Sequence, residues 1–382
     1  MKKLRMLRPM GFKRKSPEYE PPRISVQGHS ADILLLGGVV LLSIFGLLMV
    51  YDASQFEAFQ DLGDKYYFIK QQLLWVVLGF TALGFFSIFD YHRLQKLSPF
   101  LFLFSLVLLL LVFVPGLGSA AGGAHRWLKI GGITAQPAEI IKLSSVIFFA
   151  NFFQQKVKSL PFLLILGLVG VIVGLFQKDL GSAVVFFMVA FGVYFAAGAP
   201  IIHLIALSFT GVAGFVGFIA TSAYRKQRVL AFLDPFADPQ GFSYHISQVL
   251  IALGSGGLFG VGIGQSRQKF AYIPEVTTDS IFSIVGEEFG FFGGIILIAL
   301  ISFVVLRGIA IAQAAPDNFG RLLAIGLTLW IGSQAAINLA AMVSLIPLTG
   351  VPLPFISYGG SALLANLVAV GILLNISKQT KT

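Results

Sequence analysis

Residues 281–306 read IFSIVGEEFGFFGGIILIALISFVVL, a run in which Glu287 and Glu288 are the only charged side chains. A helix that crosses the hydrocarbon core of a bilayer needs about 20 mostly apolar residues. The run therefore predicts a membrane span with two acids inside it. Nine comparable stretches surround it, at 31–51, 68–89, 98–114, 136–154, 159–176, 180–197, 200–222, 321–346 and 355–376. Together they predict an all-α integral membrane protein with ten transmembrane helices, most of whose 382 residues form one polytopic domain, 31–377. The composition agrees, with 56% hydrophobic residues, 12% charged residues and a mean hydropathy of +0.86. Soluble domains average about 45–50% apolar and about 25% charged, which excludes an ordinary soluble enzyme. Intrinsic disorder, which needs low hydrophobicity and high charge, is excluded as well. The chain has no cysteine, so disulfides, thiolate metal sites and cysteine nucleophiles drop out.

Lys and Arg in short flanks orient the spans. Residues 1–30 carry Lys2, Lys3, Arg5, Arg8, Lys13, Arg14, Lys15 and Arg23 against Glu18 and Glu20. They lack the apolar core and cleavage site of a signal peptide and read as a basic cytoplasmic tail that touches anionic lipid. With that tail inside, Arg93, Lys96, Lys156, Lys158, Arg307, Lys378 and Lys381 also fall inside. The topology is then N-in and C-in, with 378–382 a second cytoplasmic tail. Membrane topology thus accounts for much of the net charge of +10, and no nucleic-acid partner is expected.

Two outer loops break the charge bias. Loop 115–135 holds Arg126 and Lys129, and the long extracytoplasmic loop 223–280, between spans seven and eight, holds Arg225, Lys226, Arg228, Arg267 and Lys269. Long loops are partly exempt from the bias; the functional alternative is a surface that attracts an anionic phosphate or pyrophosphate headgroup. Within that loop, residues 243–264 combine an apolar stretch too short to span with a Gly-rich turn. A re-entrant or interfacial segment fits better than an eleventh helix, and such backbone is tolerated at membrane depth only where protein or a water-filled cavity covers it.

Several polar residues need a reason. Glu139 and Lys142 share one helix face, either as a structural ion pair or as a contact to substrate. Asp179 and Asp279 stand at helix starts, so each is either an N-cap or a site residue; Asp279 could take a proton from a bound hydroxyl. Glu287 and Glu288 lie about 12 Å further along the axis. No metal-ligand cluster is legible among the five histidines. These features leave enzyme and transporter equally open.

Taken together, Gly123–Trp127, Gln136-Pro137-Ala138-Glu139 with Lys142, Gln177–Gly181, Tyr224-Arg225 through Arg228, Asp234-Pro235 with Asp238-Pro239, Pro274-Glu275 with Thr278-Asp279, and Leu353–Ser361 resemble the SEDS family (shape, elongation, division and sporulation). The resemblance runs from about residue 31 to the C-terminus. It implies a peptidoglycan glycosyltransferase that polymerises lipid II on the outer face of the bacterial cytoplasmic membrane, at the division septum. The implied partners are a class B penicillin-binding protein (a transpeptidase), division-complex membrane proteins and membrane lipid. Asp279 stands at the family's essential carboxylate and is the expected general base. Arg126, Arg225, Arg228 and Lys269 are expected to bind pyrophosphate, since guanidinium groups donate in pairs to phosphate oxygens. Trp127, Asp179, Glu275 and Ser357 complete the expected substrate-binding set, with Glu139 and Lys142 as a cavity pair. No cofactor is assignable; a divalent cation could help to neutralise the leaving group, with no metal site identified. Gly264–Phe270 looks like the division branch, while Thr349–Pro352 looks somewhat like the elongation branch. Lys178, His245 and Ala271 depart from residues usual in the family. The competing readings are a lipid II flippase and a scaffold for the transpeptidase.

Overall fold

The computed structural model describes residues 30–121, 124–130, 133–154, 159–203, 223–270 and 272–380, with Ile205, Ala206, Phe209, Gly211, Gly214 and Gly217. The basic tail 1–29, Lys156, Lys158, Ala271, Lys381 and most of the expected span 200–222 lie outside the described residues.

The chain is a mostly helical, multi-span membrane protein. Seven helical segments among the described residues are long and apolar enough to cross a bilayer. They are α1 (Ile33–Leu62), α2 (Tyr67–Ile88), α3 (Tyr91–Leu111), α5 (Ser159–Gly170) with its π-helical extension Val171–Phe176, α9 (Ile281–Ala314), α10 (Asn318–Met342) and α11 (Gly360–Ser377). Between them lie the shorter α4 (Pro137–Phe152) and α6 (Leu180–Ala196). The centre of the bundle is α10 and α11: 72% and 83% of their apolar windows are buried, against 17% for α2. The exposed apolar faces of α2 and α3 are what lipid contact requires, since lipid tails are as apolar as leucine.

Three features differ from the sequence expectation. The first span does not stop near residue 51. Helix α1 is capped by Asp32, whose Oδ1 accepts from Leu35 N, and runs to Gly63, where a φ of 70° ends it. Thirty residues at 1.5 Å each span about 45 Å, well beyond a hydrocarbon core of about 30 Å. The last turns, with Glu57, therefore rise beyond that core, and Asp52 lies near its edge. Second, the fold is not purely α. Strands β1 (Gly118–Ala121), β2 (Ala124–Ile130) and β3 (Ile133–Ala135) form a small antiparallel sheet, with Ser119 opposite Trp127 and Leu128 opposite Ala135. Third, the long loop holds two helices, α7 (Ala223–Leu233) and α8 (Tyr244–Ser255).

The glycine-rich turn packs against α9, which is broken at Gly290 (φ 67°, ψ −166°). A break frees backbone groups that must be satisfied inside a membrane. Here the turn supplies them: Val261 N and Gly262 N donate to the carbonyls of Glu287 and Glu288, and Phe291 N and Phe292 N donate to those of Gly257 and Leu258. Gly290 approaches so closely that a Cβ on it would lie 2.3 Å from Gly260 N.

Candidate active site

The site is organised by two short segments, the turn 274–280 before α9 and the loop 343–359 between α10 and α11. The turn is wound tightly because Glu275 takes a left-handed φ of 52°, letting Thr278 N and Ser280 N both donate to its carbonyl. Asn338 on α10 binds both segments: its Nδ2 donates to Asp279 O at 2.7 Å and to Val351 O at 2.8 Å. Tyr358 N donates to Thr277 O at 2.8 Å. Gly350, at φ 68°, lies against the acid, where a Cβ would be 3.8 Å from Asp279 Oδ2.

Asp279 is only 8% exposed; Thr278 Oγ1 lies 3.4 Å from its carboxylate, and its own backbone N–H also donates to it. Burial, reinforced by the nearby Glu275 charge, pushes its pKa up to about 7, with Arg228 pulling the other way. The next residue, Ser280, shares a 2.7 Å hydrogen bond with His245 Nε2 on α8. Burial, then the Arg228 charge, pushes His245 down to about 4, so its ring is neutral at physiological pH. Beside this turn a cavity of about 220 Å³ is lined by Arg228, His245, Phe242, Ile346 and Leu348 among others.

The loop 343–359 also carries the rest of the site. Arg228 on α7 donates through Nη1 to Leu348 O at 3.0 Å. On the other flank, Arg126 on β2 donates through Nη2 to Lys178 O at 2.7 Å, at a left-handed turn (φ 57°) just before α6. Asp179 is the N-cap of α6 and also binds the start of α4. Its Oδ1 caps α6 by accepting from Ser182 N, and its Oδ2 accepts from Gln136 Nε2 at 3.2 Å. Gly181 lets this helix start meet the loop, since a Cβ there would be 2.5 Å from Thr349 O. Buried Arg126 Nε, Gln177 Oε1, Asn338 Oδ1 and Thr349 Oγ1 have no partner among the described residues. An unsatisfied buried polar group costs about 1–3 kcal/mol, so a polar ligand or water gains most here. Arg228 thus binds the loop directly, Asp279 is tied to it through Asn338, and the start of α6 beside Asp179 meets it at Thr349, while Arg126 reaches Lys178 next to Asp179. Trp127 sits half-buried on β2. Arg225 lies on α7, with its side chain outside the described residues.

One expected ligand, Lys269, is used internally instead. Lys269 is 7% exposed, and its ammonium meets Asp52 Oδ1 and Oδ2 at 2.8 and 2.9 Å and Glu288 Oε1 at 3.0 Å. An ammonium has three donors, so none remains for pyrophosphate. Ser357 is buried; its Oγ accepts from Leu353 N at 2.8 Å and fixes the loop's own turn. Glu139 and Lys142 form a fully buried 2.7 Å ion pair, with Lys142 also donating to Gln334 Oε1 at 3.0 Å. Gln334 Nε2 in turn donates to Pro352 O, so the pair props up the loop from below. Among the described residues no three or more metal-ligating side chains gather.

Sequence reading missed Asp52, Gln334 and Asn338. Gln334 and Asn338 carried a usable signal, because polar residues four apart share one face of an otherwise apolar span. Asp52 was hidden by placing the end of α1 too early.

A sequence model of the FtsW/RodA/SpoVE family, described as cell cycle proteins, matches residues 32–382. A probable peptidoglycan glycosyltransferase FtsW from Geobacter sp. (strain M18) is 40% identical over 364 residues, covering 93% of this chain and 98% of the relative. Stage V sporulation protein E of Bacillus subtilis (strain 168) is 41% identical over 359 residues, covering 92% and 98%. A solved chain from work titled "Structural coordination of polymerization and crosslinking by a peptidoglycan synthase complex" superposes with a TM-score of 0.74 at 28% identity, covering 91% of this chain and 97% of that one.

Proposed function

The chain belongs to the FtsW/RodA/SpoVE family of cell cycle proteins, and on that premise we propose how it makes glycan. It is a multi-pass protein of the bacterial inner membrane and a peptidoglycan glycosyltransferase that polymerises lipid II. In our reading it has ten spans with both termini in the cytoplasm, so that the basic residues of 1–30 and the short tail 378–382 meet the inner leaflet. The Asp279 end of the bundle then faces outward.

The acceptor sugar's hydroxyl attacks the anomeric carbon of a lipid-linked donor. Asp279 takes the hydroxyl proton as the new bond forms, and polyprenyl pyrophosphate leaves. Arg126, Arg225 and Arg228 hold the pyrophosphate, with Trp127, Asp179 and Glu275 completing the substrate surface. The observation that carries this reading is the buried Asp279 carboxyl just ahead of α9, held through its carbonyl by Asn338 and lying against Gly350 of the site loop; burial pushes its pKa up to about 7. A general base works best with a pKa near the operating pH. The relatives' FtsW and SpoVE names support the division side of the family over elongation, and with it a septal location, division-complex contacts and a class B transpeptidase partner.

The flippase alternative is disfavoured because Glu139 and Lys142 are packed into the core. The deciding experiment incubates purified protein with lipid II, with and without a class B transpeptidase, and looks for glycan polymer. Polymer from wild type and none from Asp279→Asn is expected; polymer from both removes Asp279 as the base.

A further inference from the structure

We infer that Asp52, Lys269 and Glu288 form a positioning node that holds Asp279 at its working place, an inference that rests on Asp279 being the base. The break at Gly290 cuts the first turns of α9, and the Asp279 turn ahead of them, from the continuous helix below. What fixes that segment must therefore come from outside the helix. Lys269 binds Glu288, 19 residues on, so the chain between them closes into a loop pinned at its base. Glu287 pins the same base from the neighbouring position, accepting from Ser266 Oγ, Arg267 N and Gln268 N. Asp279 stands near the middle of this closed loop. Lys269 fastens the base to α1 through both oxygens of Asp52, and Phe45 on α1 packs edge-on against Phe289 at 5.6 Å.

The node is nearly dry, with side-chain exposures of 8% for Lys269, 15% for Asp52 and 0% for Glu288. Ion pairs there are strong and little screened, so the node is stiff where the helix is not. A displacement of about 1 Å at a reacting group can cost about 10²-fold in rate. Asp52 and Lys269 are thus positioning residues, acting through Asp279 without touching substrate.

The test measures lipid II polymerisation by the purified full-length protein against lipid II concentration and pH, normalised to the folded fraction. Asp52→Asn keeps the side chain's shape but weakens the tie to α1. It is expected to lower kcat roughly tenfold, with KM within about twofold, and to displace the rising limb of the pH profile. Lys269→Arg keeps the charge, and with it the fold, while changing the bond geometry. It is expected to lower kcat less and to displace the limb in the same sense; it decides the matter if Asp52→Asn does not fold. Asp64→Asn, in the exposed pair with Lys70, serves as a control expected to match wild type. Folded variants with wild-type kcat and pH limb overturn the inference. So does a rate loss fully explained by folded fraction with an unmoved limb. Asp279→Asn is assayed alongside: if it retains activity, the base assignment itself fails, whereas an inactive Asp279→Asn with a normal Asp52→Asn sinks the node alone.

Discussion

At Asp279 burial and a like charge raise the pKa, while Arg228 opposes them without winning, leaving a value of about 7. The sign of two pH effects follows. For catalysis the base must be ionised, so kcat/KM should rise with pH through about 7 and level off above it, a profile read from initial polymerisation rates at low lipid II concentration. For stability the direction reverses, because the folded state holds a proton that the unfolded chain releases near 3.8. Stability from this group is complete below that unfolded value and is lost as pH rises through about 7. Asp279→Asn should therefore melt progressively higher than wild type across that interval, while losing roughly 10²–10⁴-fold in polymerisation rate. A melting difference independent of pH would contradict the burial argument. Arg126 and Arg228 make a second prediction. Arg126 holds Lys178 O and keeps a buried Nε without a partner among the described residues, and Arg228 holds Leu348 O and lines the cavity beside the turn. Either change to Ala should weaken lipid II binding, measured on the Asp279→Asn background to prevent turnover. Arg307→Ala, which breaks a pair with Asp32 at the opposite end, should not weaken it. Equal binding by all three variants would return these arginines to ordinary loop charges.

Helix α9 shows how an element can be read correctly as a span and still hide its main feature. Its run of apolar residues was plain, and the glycine-rich turn before it was expected to be re-entrant. Nothing local said that Gly290 breaks the helix, because an isolated Gly in an apolar span is common. The reason lies elsewhere in the chain, in the turn 257–262 whose backbone groups pair with those the break releases. Gly290→Ala must both adopt a left-handed φ and place a Cβ 2.3 Å from Gly260 N. It should sharply reduce folded yield in detergent. Gly294→Ala, four residues on, meets only Phe282 at an ordinary 3.5 Å and should fold normally. Equal yields would mean that the turn and the break are not coupled as the hydrogen bonds indicate. The small sheet β1–β3 went unseen for a similar reason, as its strands are short and its pairing is set by neighbours.

For the molecule as a whole, the seven long apolar helices among the described residues were legible because membrane burial forces long apolar runs and makes every polar exception informative. Partners were not. Lys269 looked like one of several outward cations, and only the fold shows that Asp52 and Glu288 occupy it. Glu139 and Lys142 were legible as a pair, but their role depends on α10, where Gln334 links Lys142 to Pro352 of the site loop. This network makes the last prediction. Removing one member of a buried ion pair strands a charge and costs about 3–5 kcal/mol, whereas replacing both is often near neutral. Glu139→Gln or Lys142→Met alone should therefore lower folded yield, and the two together should restore it. Gln334 would keep its bonds to Trp330 and Pro352 in the double variant, so the loop that carries Gly350 against Asp279 should stay in place. Polymerisation by the detergent-purified double variant should then recover much of the wild-type rate, in an assay where no transport step exists. A double variant that folds but makes no polymer would show that the charges themselves contact the substrate, because the packing they supply would still be present.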